Sequence, residues 1–144
     1  DMTASRPIPD TSELDAAMRE IHALDWTPDQ AYSLQGRPVR YVSTAKIKRQ
    51  VTPVLDKHGL RIAVTMEDAP AFDGNLAVVR YRVCITNGLE EYQPATIYAE
   101  GVSAPGKRVI VSSTQAYRIY ALSNLAIIDG MEDEAPQMQQ QPQA

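Results

Sequence analysis

The sequence predicts an α+β fold: a three-stranded antiparallel β-meander packed with helices, in the order helix, helix, meander, helix. Three observations predict it. Apolar residues recur at helical spacing over residues 11–25 and again over 43–57. Apolar and polar side chains then alternate from about residue 61 to residue 99, with turn signals between the runs. A nearly all-apolar helical stretch closes the pattern over residues 112–127.

Taken in order, residues 1–10 hold Pro7 and Pro9 and read as a loose arm. From Thr11 the run TSELDAAMREIHALD starts with Ser12 as cap and places Leu14, Ala17, Met18, Ile21 and Leu24 on one stripe. Trp26 to Pro38, with Pro28 and Gly36, reads as a loop. Ser43 to Lys57 predicts a second helix with Ile47, Val51, Val54 and Leu55 on its apolar side. His58-Gly59 stops it, glycine suiting a left-handed cap and Lys57 the helix dipole. Pro53 inside this run is expected to kink or break it.

Arg61 to Glu67 predicts the first strand, and Asp73-Gly74-Asn75 a turn. Leu76 to Thr86 carries the clearest strand pattern, with Ala77, Val79, Tyr81, Val83 and Ile85 on one face and Arg80, Arg82 and Cys84 on the other. Asn87-Gly88 predicts a type I′ hairpin, and the return strand runs from Glu91 to about Ala99, Pro94 marking an edge or a bulge. Gly101 to Gly106 reads as a loop before the last helix, Ser112 to Ile127. From Met131 onward the Gln/Pro-rich tail reads as disordered.

Length and charge organise the chain further. Its 144 residues suit one domain, and 44% hydrophobic content is enough for a core. The net charge of −4 is unevenly spread: residues 1–36 carry −5, residues 37–118 carry +5, and residues 119–144 carry −4. Such asymmetry points to a basic surface between acidic ends. The expected division is an acidic arm and helix over 1–36, a core over 37–130, and the tail over 131–144. No apolar run approaches the roughly 20 residues that cross a bilayer, and no signal peptide is legible, so membrane association and export are not expected. The lone Cys84 fits a reducing cytoplasm.

Enzymatic constellations are sparse. His22 and His58 have no cysteine or histidine at metal-ligand spacing, and His58 reads as a helix-end residue. No catalytic residue, metal or cofactor is expected. Gly101 to Lys107 copies the first seven positions of a phosphate-binding loop, yet Arg108 stands where the motif holds magnesium through Ser or Thr. Val109-Ile110-Val111 then argues against a helix start there, so Lys107 and Arg108 read as a mobile basic finger. The remaining cations are more informative. Lys46, Lys48 and Arg49 lie on the second predicted helix, Arg80 and Arg82 share one face of the central strand, and Arg118 stands beside Tyr117 in the apolar last helix. A buried arginine there needs an acid, a carbonyl or a ligand phosphate. Cations interleaved with aromatics are the machinery expected for single-stranded nucleic acid. The candidate DNA-binding set is therefore Lys46, Lys48, Arg49, Arg80, Arg82, Lys107, Arg108, Tyr117 and Arg118. The plainer reading of Lys46 and Lys48 is solubility, and of Tyr117 and Tyr120 core packing.

Two patches carry a family resemblance. YVSTAKIKRQVTPVLDKHGLRI resembles the opening of the Erf (essential recombination function) phage annealing proteins, where an aromatic residue precedes a helix that closes on Lys-His-Gly-Leu. SSTQAYRIYALSNLAIIDGMEDE resembles their closing helix and acidic turn. Departures are plain: Val111 takes the place of a glycine, Gln115-Ala116 that of Thr-Tyr, and Ile119 that of an arginine. Ser112, Arg118 and Tyr120-Ala121-Leu122 keep the pattern, and the acidic turn persists loosely as Asp129, Glu132, Asp133 and Glu134. The resemblance implies a β-β-β-α annealing core, homo-oligomeric rings or filaments, and ATP-independent pairing of complementary single-stranded DNA through an annealed duplex intermediate in the host cytoplasm. A host single-strand binding protein is an implied partner. The competing readings are a sequence-independent single-strand DNA or RNA coating module and an adaptor without a nucleic-acid partner.

Overall fold

Each apolar stripe becomes a helix that turns that stripe inward. In the computed structural model, which describes residue 8 and residues 10–127, α1 (Ser12–His22) buries Leu14, Ala17 and Ile21. Its cap position is Thr11 rather than Ser12; the Ser12 backbone N–H is instead met by the Asp10 carboxylate at 2.9 Å. α2 (Thr44–Lys57) buries Ile47, Val51, Val54 and Leu55, as the spacing requires. Ser43 caps it by accepting from the Lys46 N–H at 3.0 Å, and Asp29 fixes Ser43 in turn through its N–H and hydroxyl at 2.8 and 2.7 Å. Of the expected kink or break at Pro53, the break does not occur, because the helix runs through it as one element; Pro53 is exposed, so the ring projects to solvent. At the far end Gly59 takes φ +70°, its N–H bonds to the Asp56 carbonyl, and the Leu60 N–H reaches back to Leu55 at 2.8 Å. That pair of bonds is a Schellman cap, completed by the buried Leu60.

The stretch expected as a loop after Trp26 is a hairpin. β1 (Gln30–Leu34) pairs antiparallel with β2 (Arg37–Tyr41), and Leu34 faces Arg37. Gln35 and Gly36, between them, take φ +51° and +78°. Positive φ at both central residues matches the twist of the strands, but Gln-Gly is a weak signal for it and Pro38 argues against a strand.

The main sheet has four strands rather than three: β3 (Arg61–Met66), β4 (Ala71–Asp73), β5 (Leu76–Thr86) and β6 (Glu91–Val102). β5 is central. β6 runs along one side of it, while β3 and β4 pair with successive halves of the other side. The expected first strand, Arg61 to Glu67, is β3; β4 is an additional short strand, and the Gly74-Asn75 turn joins it to β5. At the other end of β5 the type I′ expectation is overturned. The connection is the four residues 87–90, and the Asn87 side-chain oxygen accepts the Leu89 and Glu90 N–H groups at 2.8 and 2.6 Å. A bulge between Val83 and Ile85 places Gln93 at φ +49° beside Pro94.

α3 (Arg108–Asn124) starts four residues earlier than expected and ends before Ile127. It lies on the inner face of the sheet, where Ala77, Val79, Tyr81, Val83, Ile85, Ile97 and Ala99 join Ala116, Tyr120, Leu125 and the buried residues of α1 and α2 in one core. The hairpin straddles the expected boundary at residue 36. The expected tail and the acidic turn lie outside the described residues.

Candidate nucleic-acid interface

α2 and α3 pack side by side, and the groove between them gathers the cations and aromatics that the sequence scatters. On α2 the residues Thr44, Lys48 and Thr52 recur every fourth position and so share one face. On α3, Tyr117 and Arg118 face them. The Lys48 ammonium stands 5.0 Å above the Tyr117 ring, and the Arg118 guanidinium lies 5.7 Å from the Tyr41 ring at the base of the hairpin. Arg118 also donates to the Val42 carbonyl at 2.5 Å and reaches the Thr44 hydroxyl at 3.4 Å. Of the three partners such an arginine needs, the fold supplies a carbonyl. Burial pushes the Tyr117 phenol up to about 12, against the weaker pull of a hydrogen bond with Thr52. The phenol therefore stays neutral, and its half-buried ring lines one wall of the groove. Below it a cleft opens between Thr52, Asp56, Arg61 and Tyr117. Arg49, next to Lys48, is exposed on the same helix.

Lys48, Tyr117 and Arg118 are thus brought together, while Arg49 is exposed on a neighbouring face of α2. Tyr41, Thr44, Thr52 and Arg61 join them and were missed, since only helix packing makes them neighbours. The signal for Tyr41 was present: an aromatic residue directly before a helix that carries basic residues.

The other candidates lie elsewhere. Lys46, expected on the surface, is 8% exposed, and its ammonium donates to the Thr27 carbonyl at 2.6 Å; it ties α2 to the segment before the hairpin. Arg80 and Arg82 do share a face of β5, but both meet acids there. Arg80 pairs with Asp68 at 2.7 Å and approaches Glu67 at 4.0 Å, and Arg82 pairs with Glu91 at 2.6 Å. Cys84 is buried, and burial raises its thiol above the ordinary range, which suits packing rather than nucleophilic attack.

The basic finger is half dismantled. Lys107 is exposed at the helix start, but Arg108 is the first residue of α3. Its guanidinium donates to the Gly74 carbonyl at 2.7 Å and stacks 4.1 Å from the Phe72 ring. The position where a phosphate loop places its magnesium hydroxyl is therefore spent on bracing the β4–β5 turn. Gly101 belongs to β6, under the first turn of α3, and the Ser103 N–H bonds to Asn75 at 3.0 Å.

The histidines hold helices. His22 meets the Leu125 carbonyl at 2.9 Å. His58 sits between two carboxylates of α1, with Nδ1 2.8 Å from Glu13 and Nε2 against Glu20. Those hydrogen bonds, Glu13 first, raise its pKa above the usual value. No group of three or more metal-ligating side chains occurs among the described residues, and no described helix is long and apolar enough to cross a membrane. No protein-family model matches the chain, and no characterised protein matches it in sequence.

Proposed function

We propose that the protein binds single-stranded DNA without sequence preference and anneals complementary strands without nucleotide hydrolysis, working as an oligomeric ring or filament. The observation that carries the reading is the α2–α3 groove, where Lys48 lies against Tyr117 and Arg118 against Tyr41, with Arg61 lining the cleft below Tyr117. Cations set beside aromatic rings suit a flexible, charged strand. The grip is electrostatic and indifferent to base order, so bases held by their backbone stay open to a partner strand. The Erf resemblance of residues 41–62 and 112–134 supplies the annealing class; the first patch spans β2's end, α2 and the start of β3, and the described part of the second spans α3 from Ser112 onward.

The test mixes two complementary labelled oligonucleotides with the protein, without ATP, over a salt series. The expected result is faster duplex formation that fades as salt rises. Binding without acceleration would replace annealing by coating, and no binding to single strands would end the nucleic-acid reading.

A further inference from the structure

The α2 stripe that faces α3 does not end on a cation. Thr44, Lys48 and Thr52 are followed one turn on by Asp56, an exposed carboxylate that lines the cleft beside Tyr117. A groove that only gripped phosphate would be weakened by a carboxylate there, because like charges repel. Asp56 has no ion-pair partner among the described residues, although Arg61 lines the same cleft. Its charge is unspent, and it suits a ligand that donates hydrogen bonds.

The cleft has the size and lining of a site for one flat ring. It encloses about 150 Å³, and an apolar cavity of that size holds a benzene ring. Leu55, Leu60 and Ile62 supply the apolar lining, Leu55 and Leu60 being buried. The half-buried Tyr117 ring stands to one side, and Thr52, Asp56 and Arg61 supply the polar groups. An apolar recess with a few polar groups is the usual make-up of a small-ligand site. Lys48, over the Tyr117 ring, stands two helical turns from Asp56, about 11 Å along the axis. That is close to the span from a nucleotide's phosphate to the far edge of its base.

The geometry points to a subsite for one unpaired pyrimidine base, with cytosine preferred over thymine. The two bases share one ring size and differ at the edge that meets Asp56. Cytosine carries an amino donor at N4, and thymine a carbonyl acceptor at O4. A carboxylate accepts from the amine and repels the carbonyl. The ring itself packs beside Tyr117, and base–aromatic contact is tolerant of base identity. The preference is confined to one base per protomer, on a grip that otherwise ignores base order, and the neighbouring bases stay open for pairing. This rests on the proposed single-strand binding and deepens it by naming the base that the groove takes in.

The experiment measures the affinity of the full chain for labelled oligo-dC and oligo-dT of equal length, at neutral pH and fixed salt. Oligo-dC should bind about fivefold tighter or more. The salt slopes of the two strands should match, because both carry the same phosphates. Asp56→Asn should bring the two affinities within about twofold of each other, since an amide meets either base through its oxygen or its nitrogen. Asp56 is exposed near the end of α2, and circular dichroism checks that the variant folds. Equal affinities in the wild type, or a preference that Asp56→Asn leaves untouched, overturn the subsite while single-strand binding stands. No binding to either strand removes both.

Discussion

At the scale of the residue, the most consequential placement is that of His58. Both ring nitrogens face carboxylates of α1, Glu13 and Glu20, and Glu20 also meets Lys57. The imidazolium is thereby favoured, so the folded pKa is raised above the ordinary 6.5. A raised folded pKa contributes stability in full below about 6.5, and that stability is lost as pH climbs through the raised value. Glu20 acts with the opposite sign: its pKa is lowered by its hydrogen bonds with His58 and then Lys57, so its contribution fades as pH falls below the ordinary carboxylate range. Urea unfolding midpoints should therefore drop as pH rises from the ordinary imidazole value of 6.5 through the raised His58 pKa. His58→Gln should flatten that slope. An unchanged slope in the variant would remove His58 as its source. Ser112 is a second case. It keeps the resembling position in the sequence, and in the fold its hydroxyl lies 2.6 Å from that of Tyr81, both side chains buried. The partner is a residue 31 positions away, so its role was not legible in the local run.

At the scale of the element, α3 and β6 meet at closest range where glycine permits it. A Cβ on Gly101 would come within 2.0 Å of the Arg108 carbonyl oxygen and 2.7 Å of the Ser112 nitrogen, both backbone atoms. Neither side can yield cheaply, because Arg108 is anchored on Gly74 and Ser112 on Tyr81. Gly101→Ala should cost about 2 kcal/mol or more, in the range of overpacked cores, read as a fall in the denaturant midpoint. A midpoint within error of wild type would mean that α3 rides freely on the sheet. The same contact gives the glycine of the phosphate-loop-like run a packing reason. Tyr120 anchors the other end of the interface by donating to Gln93 at 2.7 Å, where the bulge would leave that carbonyl unpaired. The hairpin shows the reverse relation between sequence and element. Its strands contain a proline and its turn is Gln-Gly, so local propensity argues for a loop; Asp29 on Ser43, Lys46 on Thr27 and Arg118 on Val42 hold its base in place.

At the scale of the whole molecule, the cations divide between two surfaces. Lys48 and Arg49 are exposed on the helical side, while Arg80 and Arg82 spend their charge on Asp68, Glu67 and Glu91 on the far face of the sheet. Counterion release counts only cations that meet phosphate. Lys48→Ala with Arg49→Ala should therefore reduce the salt slope of single-strand binding by about 0.7 for each lost contact, evenly across sequences. Arg80→Ala with Arg82→Ala should leave the slope unchanged. The opposite pattern would move the nucleic-acid face from the α2–α3 groove to the open face of the sheet.

The sequence by itself determined the α+β class, the three helices, the whole of β5 and the core stripes, because periods of 3.6 and two are written in neighbouring residues. It also determined that the middle of the chain is basic and that Gly59 ends α2. Tertiary structure alone decided the rest. Which cations are spent depends on acids and carbonyls brought from distant segments, as Thr27 is to Lys46 and Glu91 to Arg82. The hairpin, the short extra strand β4 and the early start of α3 likewise depend on anchors far along the chain. Local patterns record what a segment prefers, whereas burial and pairing with remote partners settle what it becomes.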